Sequence, residues 1–351
     1  MKNLIINLFT ALIFLLWPLE IFAQTVFKTA DGIYTTREIR DKIKVGERTT
    51  LQIRAASNLP GKLTIEVAKT DKVKITYFKK AKANSMDEAI DYIDLIAVVL
   101  RSGPKDIKLE LRSPNPAPWT DDNQWGRVEA KITIPENYSV LVEAPLFDVT
   151  AVGPFESMVI PSSLGRINIR NVTRRLEVST TNRRLDVSDI TGEISLATSN
   201  SVLTAKNLVS LDKRADIENE NGDIRIRGFT GELYVEGSYG RIQLSDLYIT
   251  GRRNIIKGMS GPIELEISGI DKAQLRITNR FEDIEINLPD TTSAAFTLVV
   301  AEGGKIEVSN IDFVTKLIEH NRMNLVSGKG KSIISGSVRG SGNIYIRGYD
   351  D

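Results

Sequence analysis

The sequence predicts an all-β chain: a two-sided parallel β-solenoid of about 18 residues per coil, preceded by a β-rich N-terminal cap with one short helix. Three observations predict it. First, an apolar pair spaced i, i+2 returns every nine residues: Val140/Val142, Val149/Ala151, Met158/Ile160, Ile167/Ile169, Leu176/Val178, Leu185/Val187, Ile194/Leu196 and Leu203/Ala205. It resumes at Ala215/Ile217 and runs to Ile306/Val308, with weaker members at Asn254/Ile256 and Thr297/Val299. Such a pair between polar residues is a short strand with one buried face. Second, alternate units differ. Five residues after the first apolar position, one set carries Val172, Ile190, Leu208, Phe229, Leu247 and Ile311, and the other Ser163, Thr181, Ser199, Glu220, Ser238 and Glu302. The repeat is therefore two strands joined by one packed and one solvated corner. Third, every insertion, such as that between Leu203 and Ala215, follows the unit with the packed corner, so added residues gather along one edge.

An antiparallel meander of hairpins would also alternate two kinds of turn, but inward residues at a corner suit a coil better. Each coil buries four or five apolar side chains, roughly 1.5–3 kcal/mol apiece, and stacking makes the core continuous. At roughly 4.8 Å per coil the rod is at least about 43 Å long.

Taken from the N-terminus, Lys2, the apolar run Leu4–Trp17 and the small residue Ala23 read as a secretory signal peptide over residues 1–23, cut before Gln24. The run falls short of the roughly 20 residues of a membrane span. There is no cysteine, so neither a disulfide nor a lipoprotein anchor is available, and export leads to the periplasm, the outer membrane or the outside. The formal charge of +1 gives no argument for nucleic acid.

Residues 24–137 form the expected cap region and 138–351 the solenoid. Residues 25–48 read as a loosely structured lead-in. Thr50–Arg54, Lys62–Ala68, Val73–Phe78, Leu95–Leu100, Ile107–Leu111 and Val128–Ile134 read as strands, and Ser85-Met86-Asp87-Glu88 as a capping box opening a short helix. The Pro-rich loop Ser113–Gly126 holds Trp119 and Trp125, whose rings are expected to pack over the end of the solenoid rather than stack on sugars. Within the repeats, Gly165, Gly192, Gly222, Gly231, Gly240, Gly261 and Gly304 sit two residues before the first apolar position and suit turns of positive φ. Asn171, Asp189, Asn207, Asp246 and Asn310 share one turn position that favours Asx side chains. Ile344/Ile346 repeat the coil signature once more, with Tyr349, Asp350 and Asp351 as a polar finish.

The units Glu218-Asn219-Glu220-Asn221-Gly222-Asp223-Ile224-Arg225-Ile226-Arg227-Gly228 and Gly231-Glu232-Leu233-Tyr234-Val235-Glu236-Gly237, with the Ile134-Pro135 lead into the repeats, resemble the bacterial β-strand-repeat family that carries the provisional label adhesin. The resemblance covers roughly Gly61 to Asp351. It implies a β-solenoid in an envelope or secreted protein and brings no catalytic residues with it.

Chemistry-bearing residues are few. His320 is the single histidine, in Ile318-Glu319-His320-Asn321-Arg322, away from any nucleophile motif, and reads as a surface residue. No metal site and no cofactor are expected. Glu177, Asp186, Glu193, Asp223, Glu232, Glu264, Glu285 and Glu307 fall on outward strand positions and read as a solvated face; Asp121-Asp122 reads as a solvated turn. The candidate binding residues are Arg174, Arg175, Lys213, Arg214, Arg252, Arg253 and Lys272, which recur at the insertion-bearing edge and would suit an anionic envelope glycan or an acidic protein. Arg183-Arg184, at the other corner, weaken that asymmetry. The expected function is a structural or adhesive binding module of the envelope. A carbohydrate-active β-helix enzyme and a periplasmic scaffold or signalling partner are the alternatives.

Overall fold

A computed structural model of the chain describes residues 25–119 and 123–350. The proposed leader, its cleavage site and Asp121-Asp122 lie outside the described residues. The repeats form a parallel stack of coils with two walls. One wall contains Ile167–Arg170, and the other contains Arg175–Thr180. Ile167 stands opposite Leu185, which stands opposite Leu203, and Leu176 stands opposite Ile194. The period-two pattern therefore turns the apolar pairs of the central coils inside: Ile167, Ile169, Leu185, Val187, Ile224 and Ile226 are each at most 3% exposed. In Ala294–Val300 the inward positions are taken by Phe296 and Leu298 instead of the expected Thr297 and Val299, which face out, and near the C-terminal end Ile306 and Val308 are half-buried.

The packed corner holds Val172, Ile190, Leu208, Phe229 and Leu247, all buried, each stacked on the next coil's equivalent. The chain turns there through the left-handed region at Asn171, Asp189, Asn207, Asp246 and Asn310, with φ between 53° and 64°. Asn207 Nδ2 donates to Asp189 Oδ1 at 2.8 Å, so the Asx side chains also bind one another from coil to coil.

The glycine turns are built differently from the expectation. Of the seven, Gly192 and Gly231 have positive φ (113° and 128°). The others serve close approach. A Cβ on Gly240 would stand 2.1 Å from the Gly222 carbonyl oxygen, and one on Gly261 would stand 2.1 Å from that of Gly240. Successive coils press backbone on backbone at this corner, and only hydrogen fits between them.

The lead-in is ordered, contrary to expectation. Val26–Ala30 pairs with Ile33–Thr36, and both Ile33–Thr36 and Ile39–Lys44 pair antiparallel with the long strand Lys72–Lys82. The Lys72–Lys82 strand supplies hydrogen-bonding partners that no local pattern in residues 25–48 reveals. Exposed Arg40, Asp41, Lys42 and Lys44 guard the outermost strand against edge-to-edge pairing. The helix spans Met86–Asp94; Ser85 Oγ accepts from Glu88 N at 3.2 Å, and the Glu88 carboxylate accepts from Asn84 N at 2.8 Å. Lys79, 6% exposed, donates to the Ile93 carbonyl at 3.4 Å and so ties the helix end to the sheet.

Coils are not stacked in chain order at either end. Thr50–Ala55 lies between Asp106–Arg112 and Ser139–Glu143, and Gly61–Val67 lies between Trp125–Ile134 and the strand that starts at Phe147. The stack thus begins well before residue 138. At the other end the last segment is inserted. Ser332–Val338 lies between Gln274–Asn279 and Ala294–Val300, and Ile344–Tyr349 lies between Ile284–Pro289 and Ile306–Ser309. The Ile344/Ile346 coil is therefore interior, and the outermost elements are Ile306–Ser309 and the hairpin of Val314–Glu319 and Arg322–Val326.

Candidate ligand-binding surface

The seven edge residues all lie at the turns that lead into the second wall, but register divides them. Arg175 stands opposite Glu193. Continuing the register, Glu193 meets Arg214, Arg214 meets Glu232, and Glu232 meets Arg253. Basic and acidic residues therefore alternate up the edge. Arg174 pairs with Glu156 at 2.7 Å, Arg175 with Glu177 at 2.6 Å, Lys213 with Glu193 at 2.9 Å, Arg214 with Asp216 at 2.8 Å and Arg253 with Glu232 at 2.7 Å. Arg252 donates its backbone N–H to Glu232 at 2.8 Å. Lys272 sits in a left-handed turn, φ 46°. The side chains of Arg252 and Lys272 have no carboxylate partner among the described residues.

The Lys213 ammonium holds the Glu193 carboxyl below the usual range despite partial burial. Burial alone would raise Glu232, but the Arg253 guanidinium and the Arg252 N–H outweigh it and leave that carboxyl low too. The edge is a self-neutralising ladder, each exposed pair contributing about 0.2–1 kcal/mol.

The outward carboxylates fit the same pattern. Asp186, Asp223, Glu264 and Glu285 pair with Arg184, Arg225, Arg241 and Arg347 respectively, at 2.5–3.0 Å. No group of three metal-ligating side chains occurs among the described residues. His320 is exposed at the tip of the C-terminal hairpin. Trp119 packs edge-on to Tyr92 (centroids 5.6 Å apart, planes at 69°) and against Gly126 beneath the helix. Trp125 carries the Arg127 guanidinium 5.4 Å above its ring. Both rings are half-buried in the cap.

A groove of about 440 Å³ opens on the second wall beside the solvated corner, lined by Lys257, Met259, Arg276, Thr278, Arg280 and Arg339 among others. Arg276 projects outward from Gln274–Asn279. Arg280 and Arg339 follow Asn279 and Val338, which stand opposite each other, so the two arginines occupy adjacent rungs. Backbone bonds fix them there: Arg280 N donates to the Gly258 carbonyl at 3.2 Å and Arg339 N to the Asn279 carbonyl at 3.1 Å. None of the three guanidiniums has a carboxylate partner among the described residues. Glu236 also lines the groove, but the Tyr234 hydroxyl and Lys257, 3.3 Å away, already bind it, which holds its carboxyl low. Sequence reasoning missed this cluster because Arg339 reaches Arg280 only through the inserted coil.

The family model for Toastrack DUF4097 matches residues 50–297. Among solved structures, a provisionally labelled adhesin from Parabacteroides merdae is similar at 10% identity and a TM-score of 0.39, covering 88% of this chain and 95% of that one. One from Bacteroides fragilis is similar at 12% identity and 0.27, covering 88% and 97%. A provisionally labelled cell adhesion protein from Clostridium sporogenes is similar at 13% and 0.20, covering 89% and 99%. No curated protein matches.

Proposed function

Given that the chain belongs to the Toastrack DUF4097 family, we propose that it works as an exported, non-enzymatic binding module of the bacterial envelope. The stack of coils is a rigid scaffold, and ligand is held on its lateral surface. The observation that carries this reading is a groove lined by three arginines, Arg276, Arg280 and Arg339, none of them paired with a carboxylate among the described residues, beside walls on which arginines such as Arg184, Arg225 and Arg253 are paired. The outward carboxylates Asp186, Asp223, Glu264 and Glu285 are tied to arginines, which speaks against the free, opposed acid–base pair that glycoside cleavage needs. Export rests on the leader-like residues 1–23.

The test is retention of the tagged chain on fractionated envelope material: acidic polysaccharide, lipopolysaccharide, peptidoglycan and membrane protein. Salt-sensitive retention on a glycan fraction is the expected result. Retention on protein alone moves the assignment to a scaffold partner, and no retention on any fraction ends the binding reading.

The insertion-bearing edge is a second place for the ligand, favoured by the unpaired side chains of Arg252 and Lys272. Reversing Arg174, Arg175, Arg252 and Arg253 to Glu locates it. Loss of retention with an unchanged melting temperature assigns binding to the edge.

A further inference from the structure

We propose that the groove at Arg276, Arg280 and Arg339 binds the oxyanion groups of an acidic polysaccharide. The inference rests on the binding-module reading above and adds the site and the ligand class.

The geometry that carries it is an uncompensated pair. Six outward arginines of the stack, Arg175, Arg184, Arg214, Arg225, Arg241 and Arg253, each lie within 3.0 Å of a carboxylate. Arg280 and Arg339 instead occupy neighbouring rungs, roughly 4.8 Å apart in backbone position, with no acid between them. Like charges on neighbouring rungs repel, and an oxyanion held between them removes the repulsion. A guanidinium pair can grip a carboxylate or sulfate with parallel N–H donors, which a single lysine cannot do. Arg276 lies four residues before Arg280 on the same line, roughly 13 Å along the strand direction. The cations are thus spread over a length that suits a chain with repeated acidic groups rather than one small ion.

The rest of the lining is suited to sugar rings. Ile255 and Met259 are half-exposed along the groove, and Gly237 and Gly258 add no side chain to it. The Arg280 guanidinium lies 4.9 Å over the ring of Phe281, which is 44% exposed. That contact gives the guanidinium a fixed platform at the end of the groove. Because Glu236 is occupied by Tyr234 and Lys257, it does not cancel the positive field. An acidic polypeptide offers carboxylates on flexible side chains but no rigid ring edge, so the glycan is the better fit.

The test uses immobilised polygalacturonate, with dextran as the neutral control and poly-glutamate as the polypeptide control. The intact chain is expected to bind polygalacturonate, lose binding as sodium chloride is raised, and ignore dextran. The triple variant Arg276→Gln, Arg280→Gln, Arg339→Gln is expected to bind about tenfold or more weakly, with an unchanged melting temperature because all three side chains face outward. The double variant Arg280→Lys, Arg339→Lys keeps charge but loses the fork and is expected to fall between the two. The control variant Arg225→Gln, on the opposite wall, should keep its binding. If the intact chain binds and the triple variant binds equally well, the groove is not the site, while the binding-module reading stands. If poly-glutamate is held as tightly as polygalacturonate, the glycan assignment is wrong. If the intact chain is retained on neither this probe nor any envelope fraction, the underlying reading fails with it.

Discussion

A chain ended at Gly330 is expected to lose everything from about residue 290 onward as a folded unit, not merely its last coil. The residues removed include Ile334, Val338, Ile344 and Ile346, all at most 2% exposed. At roughly 1.5–3 kcal/mol per buried side chain, their loss alone costs about 6–12 kcal/mol. The larger consequence is topological. Ser332–Val338 and Ile344–Tyr349 each bond to strands on both sides. Removing them leaves Gln274–Asn279, Ile284–Pro289, Ala294–Val300 and Ile306–Ser309 facing a gap, with unpaired backbone and bare apolar pairs. Stacked repeats gain their stability from neighbouring interfaces, so the elements outside the gap have nothing to rest on. Limited proteolysis should cut the truncated chain throughout residues 290–330 while sparing the central coils. An unchanged melting temperature with residues 290–330 still resistant would mean that the last coil is peripheral. The same truncation removes Arg339 and should abolish binding at the groove.

Phe229→Ala is expected to cost about 3–5 kcal/mol, the range for emptying a buried aromatic site. Phe229 is 1% exposed at the packed corner, between Leu208 and Leu247 of the adjoining coils. The stack cannot close over the void, because those two neighbours are fixed by their own rungs. The matched control is Glu220→Ala at the solvated corner, which is exposed and should lie within about ±0.5 kcal/mol of the parent. Chemical denaturation of both variants checks the asymmetry. Equal effects at the two positions would contradict a coil with one packed and one solvated corner.

The repeat itself was legible because its signal is local. A period-two apolar pair fixes which face is buried, and Val172, Ile190 and Phe229 mark the corner that turns inward. The Asx turn position was equally plain, since Asn and Asp are the residues that tolerate positive φ. What failed depended on neighbours remote in sequence. The position of Gly240 in its unit suggests a turn of positive φ, whereas its need comes from the Gly222 carbonyl one coil away. The strands of residues 25–48 exist because Lys72–Lys82 offers them partners. Stacking order left no trace in the spacing: Ile344/Ile346 reads the same whether its coil is outermost or inserted. The charge pattern suffered similarly. Counted turn by turn, Arg175, Arg214 and Arg253 form a basic edge, but register interleaves them with Glu193 and Glu232. The inserted coil then brings Arg339 against Arg280, which no reading of the chain in order could place together.

On the proposed function, this surface holds a glycan without acting on it. The most direct measurement incubates the chain with a size-defined acidic oligosaccharide and follows both the complex and the free sugar over time. Saturable, salt-reversible complex formation is expected, with the oligosaccharide recovered at its original length. Release of shorter fragments, in amounts exceeding the protein present, would contradict that reading and assign an enzyme.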